Sequence, residues 1–285
     1  MNKDLIFIDN APALKDLCER LQGCNWLAVD TEFERVNTYY PELCLLQLAN
    51  HDVTAVIDPL AGVNPEPLYA LLYDPAIIKV FHAARQDFEL FYHLKDAVPL
   101  PLFDTQIAAE LLGYDSQMGY ANLVRELTGK ELAKTQTRTN WKRRPLSRSQ
   151  LLYAADDVIY LGQIYELLTD RLQASGKMGL LDQACGALNN PELYEPDPHR
   201  MWRKIREARR MNGRPLEILK QLAAWREITA REENQPRKWI LPDHTLLELA
   251  RQMPSDSEGL AQIKGINDRI LQQYGARLIE ITRPA

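Results

Sequence analysis

Trp26-Leu-Ala-Val-Asp-Thr-Glu-Phe33 is the stretch on which the reading of this chain turns. Its first four residues form a short apolar run, the pattern of a buried strand. Strand side chains alternate with a period of two, so Asp30 and Glu32 project from one face, about 7 Å apart. Two carboxylates at the end of a buried strand repel each other unless a cation neutralises them. Mg²⁺ and Mn²⁺ are hard ions that take oxygen ligands, and such a pair is a natural bridge between two of them. The competing reading is a strand that runs out into solvent.

Outward from this stretch the pattern is α/β. Leu43–Leu48 and Val53–Ile57 read as strands separated by Asn50-His-Asp52, an antiparallel meander. A helix is expected over Leu68–Tyr73, a strand over Ile77–Phe81, and a helix from about Ala83 to Leu94. Leu100–Phe103 is extended, and Asp104 is placed to cap a helix over Gln106–Leu112. Amphipathic helices follow at Leu123–Leu127 and Leu151–Leu172. Strands early and α/β alternation later imply a mixed sheet flanked by helices. Asn189–Pro198 holds three prolines in ten residues and reads as a boundary. Beyond it, helices are expected at Ile205–Met211, Leu216–Glu232, Thr245–Met253, Gly259–Ile263 and Asp268–Ile281. The expected organisation is a front domain over 1–190, a linker over 191–203 and an all-α domain over 204–285.

Composition excludes several classes. The 285 residues are 46% hydrophobic and 26% charged, ordinary globular values. The apolar run Leu5–Ile8 is too short for a signal peptide, and no stretch approaches the ~20 apolar residues of a membrane span, so a cytosolic location is expected. Cys18, Cys24, Cys44 and Cys185 form no C-x-x-C pair, which argues against a zinc site and for reduced thiols. The net charge of −5 is uneven: residues 200–285 carry 17 basic and 11 acidic groups, residues 1–199 carry 17 and 28. A basic rear can meet a polyanion or simply be a solvated helical surface.

Two further acidic positions stand out. Asp87 lies in Phe81-His-Ala-Ala-Arg-Gln-Asp-Phe-Glu-Leu-Phe91, beside Ala84 and Phe91 on a helix, so it borders the buried face. Tyr153 and Asp157 are four apart on a later helix and share a face, where a phenol can orient a water above a metal-binding carboxylate. Asp156 is three from the same tyrosine, and spacing alone does not choose between the two acids.

Taken together, Asp-x-Glu on a strand, a helical Asp 55 positions on, and Tyr-x₃-Asp on a later helix resemble the DEDD superfamily of 3′→5′ exonucleases, in its DEDDy branch. Val-Asp-Thr-Glu-Phe at 29–33, Thr-Tyr-Tyr-Pro at 38–41, Leu-Cys-Leu-Leu-Gln-Leu at 43–48, Ile-Asp-Pro-Leu at 57–60, Phe-Asp-Thr-Gln at 103–106 and Tyr-Ala-Ala-Asp-Asp-Val at 153–158 are similar to the ribonuclease D family. The rear resembles an HRDC domain through Leu219 to Arg226, Ile240-Leu-Pro242, Ile263-Lys-Gly265 and Tyr274-Gly275. Members commonly carry two such domains; this sequence holds one.

The resemblance implies a ribonuclease H-like mixed-sheet exonuclease domain followed by an HRDC domain. It carries Asp30, Glu32, Asp87 and Asp157 over as ligands of two divalent cations, Mg²⁺ or Mn²⁺, and it selects Asp157 over Asp156. It carries Tyr153 over as the residue that positions the attacking water. The implied substrate is RNA with a single-stranded 3′ end, including tRNA precursors, and a monomer is expected. Phe33 is a candidate for stacking a terminal base, and His82 for contacting the scissile phosphate. Arg138, Lys142, Arg143 and Arg144 form a basic loop that offers phosphate contacts. Asp104 reads as a helix cap rather than a further ligand. The rival readings are a DNA exonuclease and a non-catalytic RNA-binding protein on the same fold.

Overall fold

Four residues of near-complete burial, Trp26 to Val29, start the strand at the centre of the molecule's one sheet among the described residues. The computed structural model describes residues 5–132 and 139–283. The strands are β1 (Leu5–Ile8), β2 (Trp26–Glu34), β3 (Glu42–Ala49), β4 (Thr54–Ile57), β5 (Ile78–Phe81) and β6 (Leu102–Asp104), in the order β1-β4-β3-β2-β5-β6. β2, β3 and β4 form the expected antiparallel meander. β5 joins β2 in parallel, β6 joins β5, and β1 joins the far edge against β4. The sheet is mixed, as the strand-then-alternation pattern implied.

The helices of this part are α1 (Ala11–Leu21), α2 (Glu66–Leu72), α3 (Arg85–Lys95), α4 (Thr105–Leu111), α5 (Tyr120–Thr128), α6 (Arg148–Ala174) and α7 (Met178–Gly186). β1, α1 and α7 were not anticipated. α6 runs 27 residues from a capping box, in which Ser147 and Gln150 satisfy each other's backbone N–H groups. It packs across β2, β3 and β4 and carries Tyr153 and Asp157 over the sheet. Asp104 is the cap that was expected, accepting from the Gln106 and Ile107 amides at 2.8 and 3.3 Å. The same carboxylate accepts from the Ala83 and Ala84 amides at 3.1 and 2.8 Å. It therefore fixes the turn from β5 into α3, where Ala83 sits at φ 58°, a conformation unfavourable for a side chain with a Cβ.

The chain divides into two units, Met1–Glu34 with Pro41–Tyr194, and Arg35–Tyr40 with Glu195–Ala285. The second unit is helical. Two 3₁₀ helices, Pro198–Lys204 and Arg206–Arg210, stand where a single helix over Ile205–Met211 was expected. Ile205, extended, separates them, and Ile205, Ala208 and Met211 point inward at the three-residue spacing of that geometry. α8 (Gly213–Glu232), α9 (Arg237–Ile240), α10 (Asp243–Gln252), α11 (Ser257–Ala261) and α12 (Asp268–Thr282) enclose a core that includes Leu219, Leu222, Leu246, Leu249, Leu260 and Leu278.

Glu227, fully buried on α8, accepts from the Tyr39 hydroxyl and from the guanidinium of Arg237, and from Arg231 at 3.1 Å. Asn234 accepts from the Tyr39 and Tyr40 amides, both at 3.1 Å. These bonds make the segment Arg35–Tyr40 part of the helical unit.

Candidate active site

The carboxylates of Asp30 and Glu32 share one face of β2, as the alternation required. After Glu32 the β2–β3 register shifts, because β3 carries one extra residue, Cys44, opposite the Glu32–Phe33 step. Such bulges bend the strand and re-aim side chains beside functional sites. α6 supplies the third acid: ligand oxygens of Asp30, Glu32 and Asp157 all lie within 4.8 Å of one another. Asp156, its neighbour, is outside this group. Asp87, buried in the first turn of α3, is not within the same radius; its Oδ1 accepts from the buried Thr31 hydroxyl, between the two β2 acids.

Among the described residues no basic side chain offsets these charges. Two like charges at the 4.8 Å limit repel by roughly 3.5 kcal/mol at an effective dielectric of about 20. The titration behaviour follows. Burial, then the charges of Asp157 and Asp87, push Glu32 up to about 8. Burial, then Asp157, Asp87 and Glu32, raise Asp30 well above the usual carboxylate range. Burial and then Asp156 raise Asp157. Burial raises Asp87 as well, against the Thr31 hydrogen bond, which favours its ionised form. A half-buried, oxygen-only donor set with no cationic side chain among the described residues has the chemistry of a site for hard divalent ions. Tyr153 lies one turn before Asp157, with its ring 6.2 Å from that of Trp141. Burial, Asp157, Glu32 and Asp30 raise its phenol, so it keeps its proton at neutral pH.

Comparison with known proteins joins this geometry to a lineage. Residues 5–173 match the 3′-5′ exonuclease family model, and residues 216–282 match the HRDC domain model. The chain is 43% identical over 265 residues to the ribonuclease D of Gluconacetobacter diazotrophicus, an alignment covering 93% of this chain and 67% of that protein. The solved structure of Escherichia coli RNase D, described as an exoribonuclease involved in structured RNA processing, superposes with a TM-score of 0.86 at 36% identity, over 99% of this chain and 74% of that one.

The chain belongs to the ribonuclease D family of 3′→5′ exoribonucleases.

A smaller member of the same structural group, NrnC of Brucella melitensis solved with bound Mg²⁺, is 28% identical with a TM-score of 0.55, over 68% of this chain and 92% of that one. The expected fold, an exonuclease domain followed by an HRDC domain, is the one observed. RNA is the polymer on which the ribonuclease D family acts. No helix among the described residues is long and apolar enough to cross a membrane.

The remaining candidate residues have distinct surroundings. His82 Nδ1 lies 2.9 Å from the Thr105 hydroxyl, its ring packs edge-on to Tyr120 at 5.5 Å, and its Nε2 has no hydrogen-bond partner among the described residues. Burial lowers its pKa, so it is neutral. Phe33 is half-buried just past the register shift. Lys142 pairs with Glu42, and Arg143 is exposed. Arg144 grips Asp58 with both ends of its fork at 2.6 Å and donates to the Cys44 carbonyl at 2.8 Å, so it braces the loop against β3 and β4. Arg138 lies outside the described residues.

Three residues of this ribonuclease D family site escaped sequence reasoning. Thr31 sits inside the acidic motif but was read only as its spacer. Gln47 lies directly across from Asp30 in the β2–β3 register, fully buried, with neither amide atom bonded among the described residues. A lone amide in the apolar run Leu43–Leu48 was the available signal. The Tyr120 hydroxyl donates to the backbone carbonyls of Asp157 and, at 3.2 Å, Asp156, bracing the turn of α6 that presents the third acid.

Proposed function

We propose that this chain removes nucleotides from single-stranded RNA 3′ ends, tRNA precursors included, by hydrolysing the terminal phosphodiester and releasing nucleoside 5′-monophosphates. It does so as a monomer, with Asp30, Glu32, Asp87 and Asp157 holding two divalent cations, Mg²⁺ or Mn²⁺. The observation that supports this reading is the convergence of three carboxylates from β2 and α6 within 4.8 Å.

Cations bound there supply Lewis acidity for activating water and charge to balance the phosphate. The chain's own contribution is positional. Asp30 and Glu32 offer oxygens from one strand face, Asp157 offers its own from the helix above, and Thr31 holds the Asp87 carboxylate in place. Tyr153, protonated, orients the attacking water through its hydroxyl and leaves proton abstraction to the metal-loaded site.

The test is a 5′-labelled RNA with a free 3′ hydroxyl, incubated with Mg²⁺ or with EDTA. The expected result is a descending ladder and 5′-monophosphates with Mg²⁺ only, faster on RNA than on a matched DNA, and lost in Asp30→Ala. Endonucleolytic fragments, or near-normal activity in Asp30→Ala, would refute it. A tRNA precursor bearing a 3′ extension should be trimmed faster than the mature species. Light scattering should give the mass of one chain.

A further inference from the structure

The basic surplus of the rear of the chain is confined to one short segment. Of the 17 basic and 11 acidic residues over 200–285, seven basic and one acidic lie at 200–214, which leaves ten of each over 215–285. The HRDC body is therefore electrically balanced. The excess belongs to the two 3₁₀ helices and the start of α8: Arg200, Arg203, Lys204, Arg206, Arg209, Arg210 and Arg214, against Glu207.

All seven side chains are exposed. Among the described residues, Arg203, Lys204, Arg206, Arg209 and Arg210 make no ion pair; Arg200 alone of the seven has one, with Asp197 at 3.4 Å. The 3₁₀ geometry explains the exposure. With three residues per turn, positions three apart fall in one row, roughly 6 Å per step. Met201, Ile205 and Ala208 are buried, while Arg200 and Arg203 in one 3₁₀ helix and Arg206 and Arg209 in the next are exposed. The guanidinium of Arg203 and the ammonium of Lys220 lie 5.7 and 5.3 Å from the ring of Trp202, an aromatic surface at the foot of the strip.

We infer that the segment 200–214 is a binding strip for the phosphate backbone of single-stranded RNA, separate from the HRDC helices that follow it. Six of its seven cations are arginines, whose flat forked head binds a phosphate through two hydrogen bonds and stacks on bases. Exposed cations in close succession, all but Arg200 outside any ion pair among the described residues, fit a polymer that carries a charge at every nucleotide. It releases counterions on binding and confers affinity without base preference. This inference rests on the ribonuclease reading and specifies how the substrate is held.

The test uses the full chain in EDTA, so that binding is measured without cleavage, with a fluorescent 20-nucleotide single-stranded RNA titrated between 50 and 200 mM salt. The triple variant Arg203→Ser, Arg206→Ser, Arg209→Ser removes three phosphate contacts. Each contact adds about 0.7 to the salt slope on a single strand, so the slope should fall by about 2. The wild type should then lose about 20-fold more affinity across that salt range than the variant. The corresponding triple lysine variant, which keeps the charge, should retain most of the slope. Unchanged slope and affinity in the folded serine variant would overturn the inference. So would loss of binding to phosphatidylglycerol vesicles with RNA binding intact, which would mark the strip as membrane-facing. Absence of Mg²⁺-dependent cleavage by the wild type would instead refute the ribonuclease reading and leave the strip to be judged on binding alone.

Discussion

Glu227 is fully buried and Asp30, Glu32 and Asp157 are half-buried, and the chain treats these carboxylates in opposite ways. Burial alone would raise Glu227, but hydrogen bonds from Arg237 and Tyr39, and the charges of Arg237 and Arg231, hold it below the usual glutamate value. Asp30, Glu32 and Asp157 have no arginine beside them among the described residues, and all three are raised. A buried carboxylate that comes with its own cations is part of the structure. One that comes without them is a site for cations from outside. The difference in partners separates the two roles.

The largest effect that can break this contrast is Asp30→Ala. Loss of a ligand should remove several kcal/mol of transition-state stabilisation, on the order of 10³-fold in turnover with Mg²⁺. The metal-free protein should become more stable, because one of the repelling charges is gone. Glu227→Gln should do the reverse. It leaves Arg231 and Arg237 without their charge partner and should cost about 3 kcal/mol in urea unfolding, with turnover per folded molecule unchanged. If both variants destabilise the metal-free protein equally, the contrast is false.

Tyr153→Phe sharpens the account of the site. Turnover should fall about 10²-fold while the Mn²⁺ affinity measured by calorimetry stays within about twofold, because the role proposed for the phenol is to orient water and not to hold an ion. Thr31→Val should have the smallest effect. The lost hydrogen bond to a carboxylate is worth roughly 1.5 kcal/mol, or about tenfold in Mn²⁺ affinity, and Thr31→Ser should restore it.

Local rules made much of this legible. The period of two on Trp26–Phe33 placed Asp30 and Glu32 on one face, and the Asp104 cap and the meander followed from short-range signals. Spacing left Asp156 and Asp157 level, and only family resemblance separated them. In the fold Asp157, not Asp156, places a ligand oxygen within 4.8 Å of those of the two β2 acids. What was missed depends on distance along the chain. Thr31 meets Asp87 across 56 residues and Tyr39 meets Glu227 across 188, and no periodicity encodes such contacts. β1 is a four-residue edge strand, too short to show its period. The rear segment read as one helix because a three-residue repeat and an α-helical stripe look alike over seven residues, and its charge was averaged over a neutral domain.

The pH dependence of stability tests the central claim most directly. Glu32, raised from 4.5 to about 8, binds its proton more tightly folded than unfolded, and Asp30 is displaced in the same direction. Stability from these groups is full below the unfolded values and is lost as pH rises through the folded ones. Thermal unfolding of the EDTA-treated protein should therefore show a falling midpoint from about pH 4.5 to pH 8. Saturating Mn²⁺ should flatten that fall and raise the midpoint most at the alkaline end, and Asp30→Asn should lose the Mn²⁺ effect. Equal midpoints with and without Mn²⁺ at pH 8 would contradict the account.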